Sequence, residues 1–318
     1  MLGIWLEKKE ICLRNDLQLK EIPAGEVRIR PTLLGVCRTD LELMSGYYPY
    51  RGVLGHEFVG VVEDGPEQWL GKKVVGEINA TCGRCRHCQS GRPRHCNDRT
   101  VLGIVGRDGC FADSFQLPAR NLLLVPDGMP DECSVFTEPL AAAMRILEQV
   151  DAVPGDRWLV VGDGRLGQLV ARVLAGTGIE LTVLGRHERK LSLLSGLGIA
   201  VTKDSQSITA GEFDVAVECT GNSSGFETAR AALRPMGTLV LKSTYAGALE
   251  LDASGLVVDE IQLVGSRCGP FAPALAALAE GVIDPRDLID EEFALEDGVQ
   301  ALQKAAEKGV MKVLLRPS

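Results

Sequence analysis

The sequence predicts an α/β protein of two domains, and three observations lead to this fold class. Before residue 140 the chain consists of short β-type runs interrupted by Gly and Pro, such as "EVRIRPTLLGV" and "FVGVVED". After residue 140 strand-type and helix-type segments alternate, which is typical of a parallel sheet wound by helices. A content of 45% hydrophobic and 24% charged residues is that of a globular protein. We therefore expect an irregular β-barrel joined to a doubly wound parallel sheet.

Charge and cysteine usage exclude several classes of partner. The net charge is −9, so the basic stretch at 84–94 is local and a nucleic-acid partner is not expected. The first twenty residues contain no continuous apolar segment, and no later run reaches membrane-spanning length. We expect a cytoplasmic protein that does not bind membranes. In that setting ten cysteines with clustered spacing favour metal binding over a disulfide framework.

The second half of the chain shows its elements in order. The strand-type segments are "RWLVVG", "ELTVLG", "FDVAVECTG", "TLVLK" and "IQLVGS", and helix-type segments separate most of them. In the first of these helices Leu166, Val170, Val173 and Leu174 form one apolar stripe that can pack on a sheet. Near the C-terminus "LEDGVQALQKAAEKG" predicts an amphipathic helix ending at Gly309, followed by the strand "MKVLL".

The turn after the first of these strands, "VVGDGRLG", carries the G-x-G-x-x-G arrangement. Gly162, Gly164 and Gly167 follow a strand, open a helix and begin a βαβ series. This is the context in which glycines let a dinucleotide pyrophosphate lie against a helix N-terminus. The alternative is a tight glycine turn that binds no ligand.

Cofactor specificity is expected at the end of the second strand, which reads "TVLGRHERK". An acidic residue there would accept hydrogen bonds from the adenosine ribose. Gly185 instead leaves space at that position, and Arg186 offers a planar fork suited to a 2′-phosphate. NADP is therefore favoured over NAD. In the alternative, Arg186 is a solvated surface charge and Glu188 helps to bind NAD.

The segment "CGRCRHCQSGRPRHC" concentrates four cysteines in fifteen positions. Cys82, Cys85, Cys88 and Cys96 have the spacing C-x₂-C-x₂-C-x₇-C, which can close a tetrahedral shell around one Zn²⁺. Such a closed shell is structural. Redox-active thiols, or replacement of one ligand by His87 or His95, are the alternatives.

A second set of ligand-type residues lies upstream, in "GVCRTDLE" and "GHEFVG". Cys37, His56 and Glu57 offer a thiolate, an imidazole and a carboxylate, the mixed set with one open position that catalytic zinc uses. Taken singly, these residues have simpler interpretations as a small buried cysteine, a core histidine and a surface glutamate. Glu138, in "TEPLAAA", directly precedes the second half of the chain.

In this order "GVCRTD", "GHEFVG", the four-cysteine segment, "EPLA" and "GDGRLG" resemble the zinc-dependent alcohol and polyol dehydrogenases of the medium-chain dehydrogenase/reductase superfamily. The resemblance runs along essentially the whole chain. It implies a discontinuous GroES-like catalytic domain at 1–139 and 269–318, and a Rossmann dinucleotide-binding domain at 140–268. It also implies an active site in the cleft between them, and a dimer or tetramer.

The resemblance also implies roles for individual residues. Cys37 and His56 match the ligands of the catalytic zinc. Glu57 and Glu138 match two carboxylates that compete or alternate at that metal in the sorbitol and sugar dehydrogenase branch. Asp40 matches the carboxylate that orients the zinc-bound histidine, in line with the usual partner of a ligating imidazole. The four clustered cysteines match the structural zinc lobe, so two Zn²⁺ per chain are implied.

The implied reaction is hydride transfer between an alcohol, held at zinc, and the nicotinamide. The Thr39 hydroxyl is expected to relay the proton, and either Glu42 or a water carries it outward. Arg38 matches a position that contacts the cofactor pyrophosphate in some relatives. The glycine-rich turn supplies the remaining expected cofactor contacts, namely Gly162, Gly164, Arg165, Leu166 and Gly167.

The chain is shorter than most such dehydrogenases, and the variable loop "MSGYYPYRG" brings three tyrosines that either line the substrate pocket or pack the loop. They are Tyr47, Tyr48 and Tyr50. Two other functions are possible on this scaffold, a zinc-free quinone or enoyl reductase and a non-catalytic zinc-stapled binding protein. Zinc per chain separates them, because the dehydrogenase needs two, the binding protein one and the reductase none.

Overall fold

The computed structural model describes residues 1–18, 20–245 and 248–318, and the chain divides into two compact units. The first unit comprises Met1–Glu138 and Phe271–Ser318, and the second comprises Pro139–Pro270. None of the helices in the described part of the chain is both long and apolar enough to cross a membrane.

Short antiparallel strands form most of the first unit. They are β1 (Gly3–Glu7), β2 (Glu10–Arg14), β3 (Glu26–Gly35), β4 (Gly52–Val53), β5 (Glu57–Asp64), β6 (Lys73–Gly76), β7 (Asn79–Ala80), β8 (Thr100–Leu102), β9 (Gly106–Arg107), β10 (Phe115–Pro118) and β11 (Leu122–Leu124). The second unit contains β12 (Arg157–Val161), β13 (Glu180–Leu184), β14 (Ala200–Thr202), β15 (Phe213–Glu218), β16 (Leu233–Leu241) and β17 (Gln262–Gly265). The returning C-terminal segment adds β18 (Ile289–Ala294) and β19 (Lys312–Arg316) to the first unit.

The helices follow the same division. The first stretch of the chain contains α1 (Arg38–Met44), α2 (Arg86–Gln89), α3 (Asp131–Ser134) and α4 (Thr137–Met144). The second unit contains α5 (Arg165–Ala175), α6 (Glu188–Ser195), α7 (Ser223–Ala232) and α8 (Ala253–Val258). The C-terminal segment contains α9 (Phe271–Ala279) and α10 (Gly298–Ala306). The predicted end of the last helix at Gly309 is wrong, since α10 ends at Ala306 and Gly309, with φ of 99°, lies in the turn before β19.

The main sheet of the first unit has the order β11-β6-β5-β3-β19-β18, with β10 also paired to β3. Alternating burial along β3 places Val27 and Ile29 inside, as expected for a strand with one face on a core. The rings of Phe58 and Phe115 meet edge to face across this core at 4.7 Å. Because β19 pairs with β3, the C-terminal segment completes the sheet that the N-terminal segment begins.

The second unit is built on a six-stranded parallel sheet with the order β14-β13-β12-β15-β16-β17. Counted within this unit, the order is 3-2-1-4-5-6, so the predicted doubly wound parallel sheet is confirmed. Its central strands are apolar on both faces, and Trp158 on β12 is fully buried. The strand order reverses between β12 and β15, so ligands of such sheets bind at the carboxyl ends of these two strands.

Candidate metal centres and dinucleotide site

Strand pairing in the first unit brings the upstream ligand-type residues together. Cys37 follows β3, whereas His56 and Glu57 stand at the start of β5, and the antiparallel register sets Gly35 opposite Glu57. One ligand atom each from Cys37, His56 and Glu57 lies within 4.8 Å of the others. His56 is 2% exposed and Glu57 1%. A half-buried thiol with a buried imidazole and a buried carboxylate at this spacing fits a zinc ion with one open position, so we name these three residues the mixed cluster.

Asp40 joins the two segments of the mixed cluster. Its Oδ2 accepts a hydrogen bond of 2.9 Å from the backbone N–H of Cys37, at the start of α1. Its Oδ1 lies 3.2 Å from Nδ1 of His56, and Asp40 is fully buried. With Nδ1 beside the carboxylate, Nε2 is the imidazole nitrogen left for a ligand. One carboxylate thus fixes the start of the helix that follows Cys37 and the orientation of the histidine.

A buried cation that the sequence analysis did not predict lies beside Glu57. Lys312, on β19, forms an ion pair with the Glu57 carboxylate, and the two side chains are 4% and 1% exposed. The Lys312 ammonium also lies 5.1 Å from the ring centre of Phe136. A Cβ at Gly35 would meet both the Glu57 carboxylate and the Lys312 ammonium, so glycine at this position makes room for the pair. The Glu57 carboxylate is therefore both a ligand-type group of the mixed cluster and a member of a buried ion pair.

Glu138, the other predicted carboxylate, lies outside the mixed cluster as the structure describes it. Burial raises the pKa of Glu138 to about 7, and the charges of Glu57 and Glu77 also raise it, while His56 and Lys312 act in the opposite direction. Glu138 is thus electrostatically coupled to the cluster without standing among its ligand atoms.

The pKa shifts of Cys37 and His56 are opposite in effect to those that a bound cation would cause. Burial raises the pKa of the Cys37 thiol, and the charge of Glu57 raises it further. Burial lowers the pKa of His56, but the neighbouring Asp40 and Cys37 outweigh it, so the pKa of His56 is raised well above its ordinary value. Both shifts favour protonated ligands, and a bound divalent cation would favour the deprotonated forms.

The expected proton-relay residues lie on or beside the first turn of α1. The Thr39 hydroxyl is 3.7 Å from the Cys37 sulfur. Arg38 is largely exposed, and its Nε lies 3.6 Å from the Glu42 carboxylate, one turn further along. Tyr47 and Tyr48 are 51% and 41% exposed. Tyr50 is different, because its hydroxyl donates to the backbone carbonyl of Val53 at 2.6 Å, so this tyrosine packs the loop.

The four clustered cysteines converge around α2. Their sulfur atoms all lie within 4.8 Å of one another, with 3.5 Å between Cys85 and Cys88 and between Cys82 and Cys96. The edges of a tetrahedron with Zn–S bonds of ~2.3 Å are about 3.8 Å long, so the donor set fits one zinc ion. All four cysteines are free of disulfides, and neither His87 nor His95 belongs to the cluster in the described residues.

The cysteines of this lobe differ in how readily their thiols lose a proton. The N–H of Cys82 lies 3.3 Å from the Cys96 sulfur, and that of Cys85 lies 3.4 Å from the Cys82 sulfur. Backbone N–H groups of Cys88 and Asn97 lower the pKa of Cys85 to about 6. Burial and the neighbouring thiols raise the pKa of Cys88 to about 11. One thiol is ready to bind a metal, and another needs the metal to lose its proton.

In the second unit the glycine-rich turn stands between β12 and α5, at the switch point of the sheet. Gly162 has φ of 121°, and a Cβ at Gly167 would meet the Gly162 carbonyl, so both positions require glycine. A Cβ at Gly164, the N-cap of α5, would meet nothing within 4 Å, so a ligand can approach its backbone. Arg165 and Leu166 form the first turn of α5. This arrangement fits a pyrophosphate.

The expectation that Gly185 leaves space at the end of β13 is wrong. A Cβ there would lie 2.6 Å from the Asp163 carboxylate and 2.8 Å from Leu191, so Asp163 of the glycine-rich turn occupies that volume. Arg186 is exposed, and its Nη2 lies 3.4 Å from the Ser224 hydroxyl. Glu188, the alternative reader of the ribose, forms an ion pair with Lys203.

Family models match both units of the chain. The alcohol dehydrogenase GroES-like domain matches residues 23–127, and the zinc-binding dehydrogenase family matches residues 166–280. Among curated proteins, the sorbitol dehydrogenase of Halalkalibacterium halodurans is 29% identical, with 92% of each chain covered.

Two solved structures extend this similarity over nearly the whole length. A zinc-binding dehydrogenase from Sinorhizobium meliloti 1021, bound to NADP, is 25% identical with a TM-score of 0.90, covering 99% of both chains. An alcohol dehydrogenase from Escherichia coli CFT073, complexed with NADH, is 26% identical with a TM-score of 0.90 and the same coverage. The chain belongs to the zinc-dependent medium-chain dehydrogenase/reductase superfamily, with its GroES-like and Rossmann folds. It is an enzyme, an NAD(P)-dependent dehydrogenase of the zinc alcohol dehydrogenase class.

Proposed function

We propose that this enzyme transfers a hydride between an alcohol or polyol and NADP, with one catalytic and one structural zinc per chain. The observation that carries the proposal is the mixed cluster, in which half-buried Cys37 and buried His56 and Glu57 offer three ligand atoms within 4.8 Å. A zinc-free reductase would have no use for this buried donor set. A zinc-stapled binding protein would need the four-cysteine lobe but not the mixed cluster.

The residues of the mixed cluster and of α1 have separate roles in the proposed reaction. When bound, zinc acts as a Lewis acid that lowers the pKa of an alcohol oxygen. Cys37 and His56 would hold it, and Asp40 keeps the His56 ring oriented through Nδ1. Thr39, 3.7 Å from the Cys37 sulfur, accepts the proton that leaves the substrate hydroxyl and passes it on. Glu42, one turn along α1, or a water then takes it outward.

The third protein ligand is Glu57 in the arrangement that the structure favours. Its carboxylate is already in the cluster, while that of Glu138 is not. The ion pair with Lys312 neutralises Glu57 without removing it from the cluster. Glu138, whose pKa of about 7 allows either protonation state near neutrality, is the alternative ligand.

We assign the first unit as the catalytic domain and the second as the cofactor domain. NADP is supported by the exposed Arg186 and by the ion pair that engages Glu188. None of the ten cysteines, all of which lie in the described residues, forms a disulfide, and this suits a reducing compartment such as the cytoplasm. We expect a homodimer or homotetramer that acts on small alcohols or carbonyl compounds. The sorbitol dehydrogenase relative favours a polyol.

The test is a panel of primary alcohols, secondary alcohols, polyols and aldoses, assayed with NAD and with NADP. We expect turnover of at least one secondary alcohol or polyol, with kcat/KM higher for NADP by about ten- to a hundredfold, the worth of a charge-assisted phosphate contact. Equal or better efficiency with NAD would contradict the cofactor assignment. Protein that binds two zinc ions and NADP but oxidises none of the panel would contradict the substrate class.

A further inference from the structure

The carboxylate of Asp163 is the feature of the second unit that the proposed function does not explain. It belongs to the glycine-rich turn, between Gly162 and Gly164, yet it reaches the end of β13 and is only 6% exposed. An acidic residue in such a turn would repel the cofactor pyrophosphate if it faced it. Here the side chain points to the neighbouring strand instead.

Every contact of Asp163 with that strand end holds one short segment in place. Its Oδ2 accepts the backbone N–H groups of Arg186 and His187, both at 2.7 Å. Nδ1 of His187 lies 3.0 Å from Oδ1. These N–H groups lower the pKa of Asp163 against the effect of burial, so the carboxylate stays charged. With both oxygens engaged inside the protein, Asp163 is not a ready acceptor for ribose hydroxyls.

The same arrangement prevents an acid on the strand itself. Because Asp163 fills the volume beside Gly185, a side chain at position 185 would lie 2.6 Å from its carboxylate. The carboxylate beside the end of the second strand therefore belongs to the preceding turn and not to the strand itself. It accepts hydrogen bonds from backbone N–H groups and is not available to the ribose.

What the segment presents outward is a set of phosphate donors. Arg186 is exposed, and its Nη2 lies 3.4 Å from the hydroxyl of Ser224, in the first turn of α7. His187 is half-buried, and with Nδ1 beside Asp163 its Nε2 faces away from that carboxylate. The Ser224 hydroxyl donates to Oδ1 of Asn222 at 2.8 Å, and its rotation would turn the proton toward a phosphate. A guanidinium, an imidazole and a hydroxyl at a helix N-terminus are groups that bind a phosphate dianion.

We propose that Asp163 is a positioning residue that holds the 185–187 segment so that Arg186, His187 and Ser224 bind the 2′-phosphate of NADP. The inference deepens the proposed function and depends on its NADP assignment. It goes beyond that assignment in naming Asp163, whose carboxylate contacts backbone and imidazole groups of the protein, as a determinant of the discrimination between NADP and NAD.

The experiment measures binding of 2′,5′-ADP and 5′-AMP to the full-length protein by calorimetry, because these probes differ only in the 2′-phosphate. We expect wild type to bind 2′,5′-ADP at least ~10-fold more tightly than 5′-AMP. Asp163→Ala should lose most of this ratio while binding 5′-AMP as before. Asp163→Asn keeps an acceptor oxygen for the backbone N–H groups and should retain part of the ratio. Glu180→Gln, which alters an exposed carboxylate at the opposite end of β13, is the matched control and should leave the ratio unchanged.

A reciprocal pair of variants tests the displacement of the carboxylate. Gly185→Asp alone should not improve 5′-AMP binding, because Asp163 occupies the space. Asp163→Gly combined with Gly185→Asp should bind 5′-AMP at least as tightly as 2′,5′-ADP, because the acid then stands at the ribose position.

The failures are distinguishable. Wild type that binds both probes equally would overturn the NADP assignment and the inference with it. Wild type that prefers 2′,5′-ADP, together with an Asp163→Ala variant that loses both probes equally or neither, would overturn the inference and leave the NADP assignment standing. A misfolded Asp163→Ala variant would leave the decision to Asp163→Asn, for which an unchanged ratio would overturn the inference.

Discussion

The two candidate metal centres of the first unit differ in how the chain builds them. The four-cysteine lobe takes all its donors from fifteen consecutive residues, and its cysteines other than Cys96 are partly exposed. The mixed cluster takes its donors from two distant segments, and β19, from the far end of the chain, adds Lys312 beside Glu57. A site made from one local segment can form without the rest of the fold, whereas a site made from several depends on it. We therefore expect the two centres to respond independently to mutation.

The largest effect is expected at the mixed cluster. Cys37→Ala removes a ligand and should lower kcat/KM at least ~10³-fold, because no other residue can replace the lost transition-state interaction. The melting temperature should change little, since the lobe and the barrel core are intact. Cys12→Ala, at an exposed cysteine outside both centres, is the control and should behave as wild type. Activity within tenfold of wild type in Cys37→Ala would refute the assigned role.

The buried ion pair should produce the next largest effect. In metal-free protein, Lys312→Met leaves Glu57 charged and unpaired at 1% exposure, which should lower the free energy of unfolding by ~3–5 kcal/mol. Adding Glu57→Gln removes the unpaired charge and should restore part of that loss in metal-free protein. Denaturant unfolding of both variants measures this. If the double variant is no more stable than Lys312→Met, the loss comes from packing and not from charge.

The lobe should respond with a smaller change that falls on stability. Cys88→Ser weakens the structural zinc, which supplies ordering free energy to a segment without a core of its own. We expect a loss of about 2 kcal/mol, or ~5 °C in melting temperature, with kcat per folded chain nearly unchanged. His87→Ala, in the same segment but outside the sulfur cluster, is the control. A melting temperature that does not move although the zinc is lost would show that the lobe contributes nothing to stability.

The smallest predicted effect is confined to acid. The pKa of Asp163 is lowered in the folded protein, so its contribution to stability is present above the unfolded value of about 3.8 and is lost as pH falls through the folded value. Asp163→Asn should therefore flatten the acid limb of the unfolding curve below about pH 4. Asp204→Asn, on an exposed turn of the same unit, should leave that limb as in wild type. An identical limb in Asp163→Asn would contradict the lowered pKa.

Features built from one local segment could be predicted from the sequence, whereas features built from distant residues could be predicted only in part. Spacing alone predicts the sulfur cluster and the glycine-rich turn, because each is a short segment whose residue order fixes its geometry. The sequence also predicts that Cys37, His56 and Glu57 are ligands of one metal ion. Their closeness in space, however, depends on the register of β3 and β5. Lys312 could not be predicted, since nothing in "MKVLL" indicates that β19 pairs with β3. Gly35, the last residue of β3, is a sign of a close approach but does not identify the approaching side chain.

The end of β13 shows a different limit of sequence reasoning. Gly185 suggests an open position when read alone, because a missing side chain implies space. The space is filled by Asp163, which is 22 residues earlier and belongs to another strand's turn. Side chains that cross from one strand end to the next leave no periodic or spacing signal. For this reason the sequence predicts NADP from Arg186, but it does not predict that Asp163 accepts the backbone N–H of Arg186.

The central claim, that the chain holds two independent zinc centres of which the mixed cluster is the catalytic one, is tested most directly by zinc content. Zinc per chain is measured by mass spectrometry on folded, dialysed wild type, Cys37→Ala and Cys88→Ser, with activity measured on the same samples. We expect two zinc ions in wild type and one in each variant, with activity lost in Cys37→Ala and kept in Cys88→Ser. Cys37→Ala that keeps both zinc ions, or Cys88→Ser that keeps its zinc and loses activity, would contradict the account.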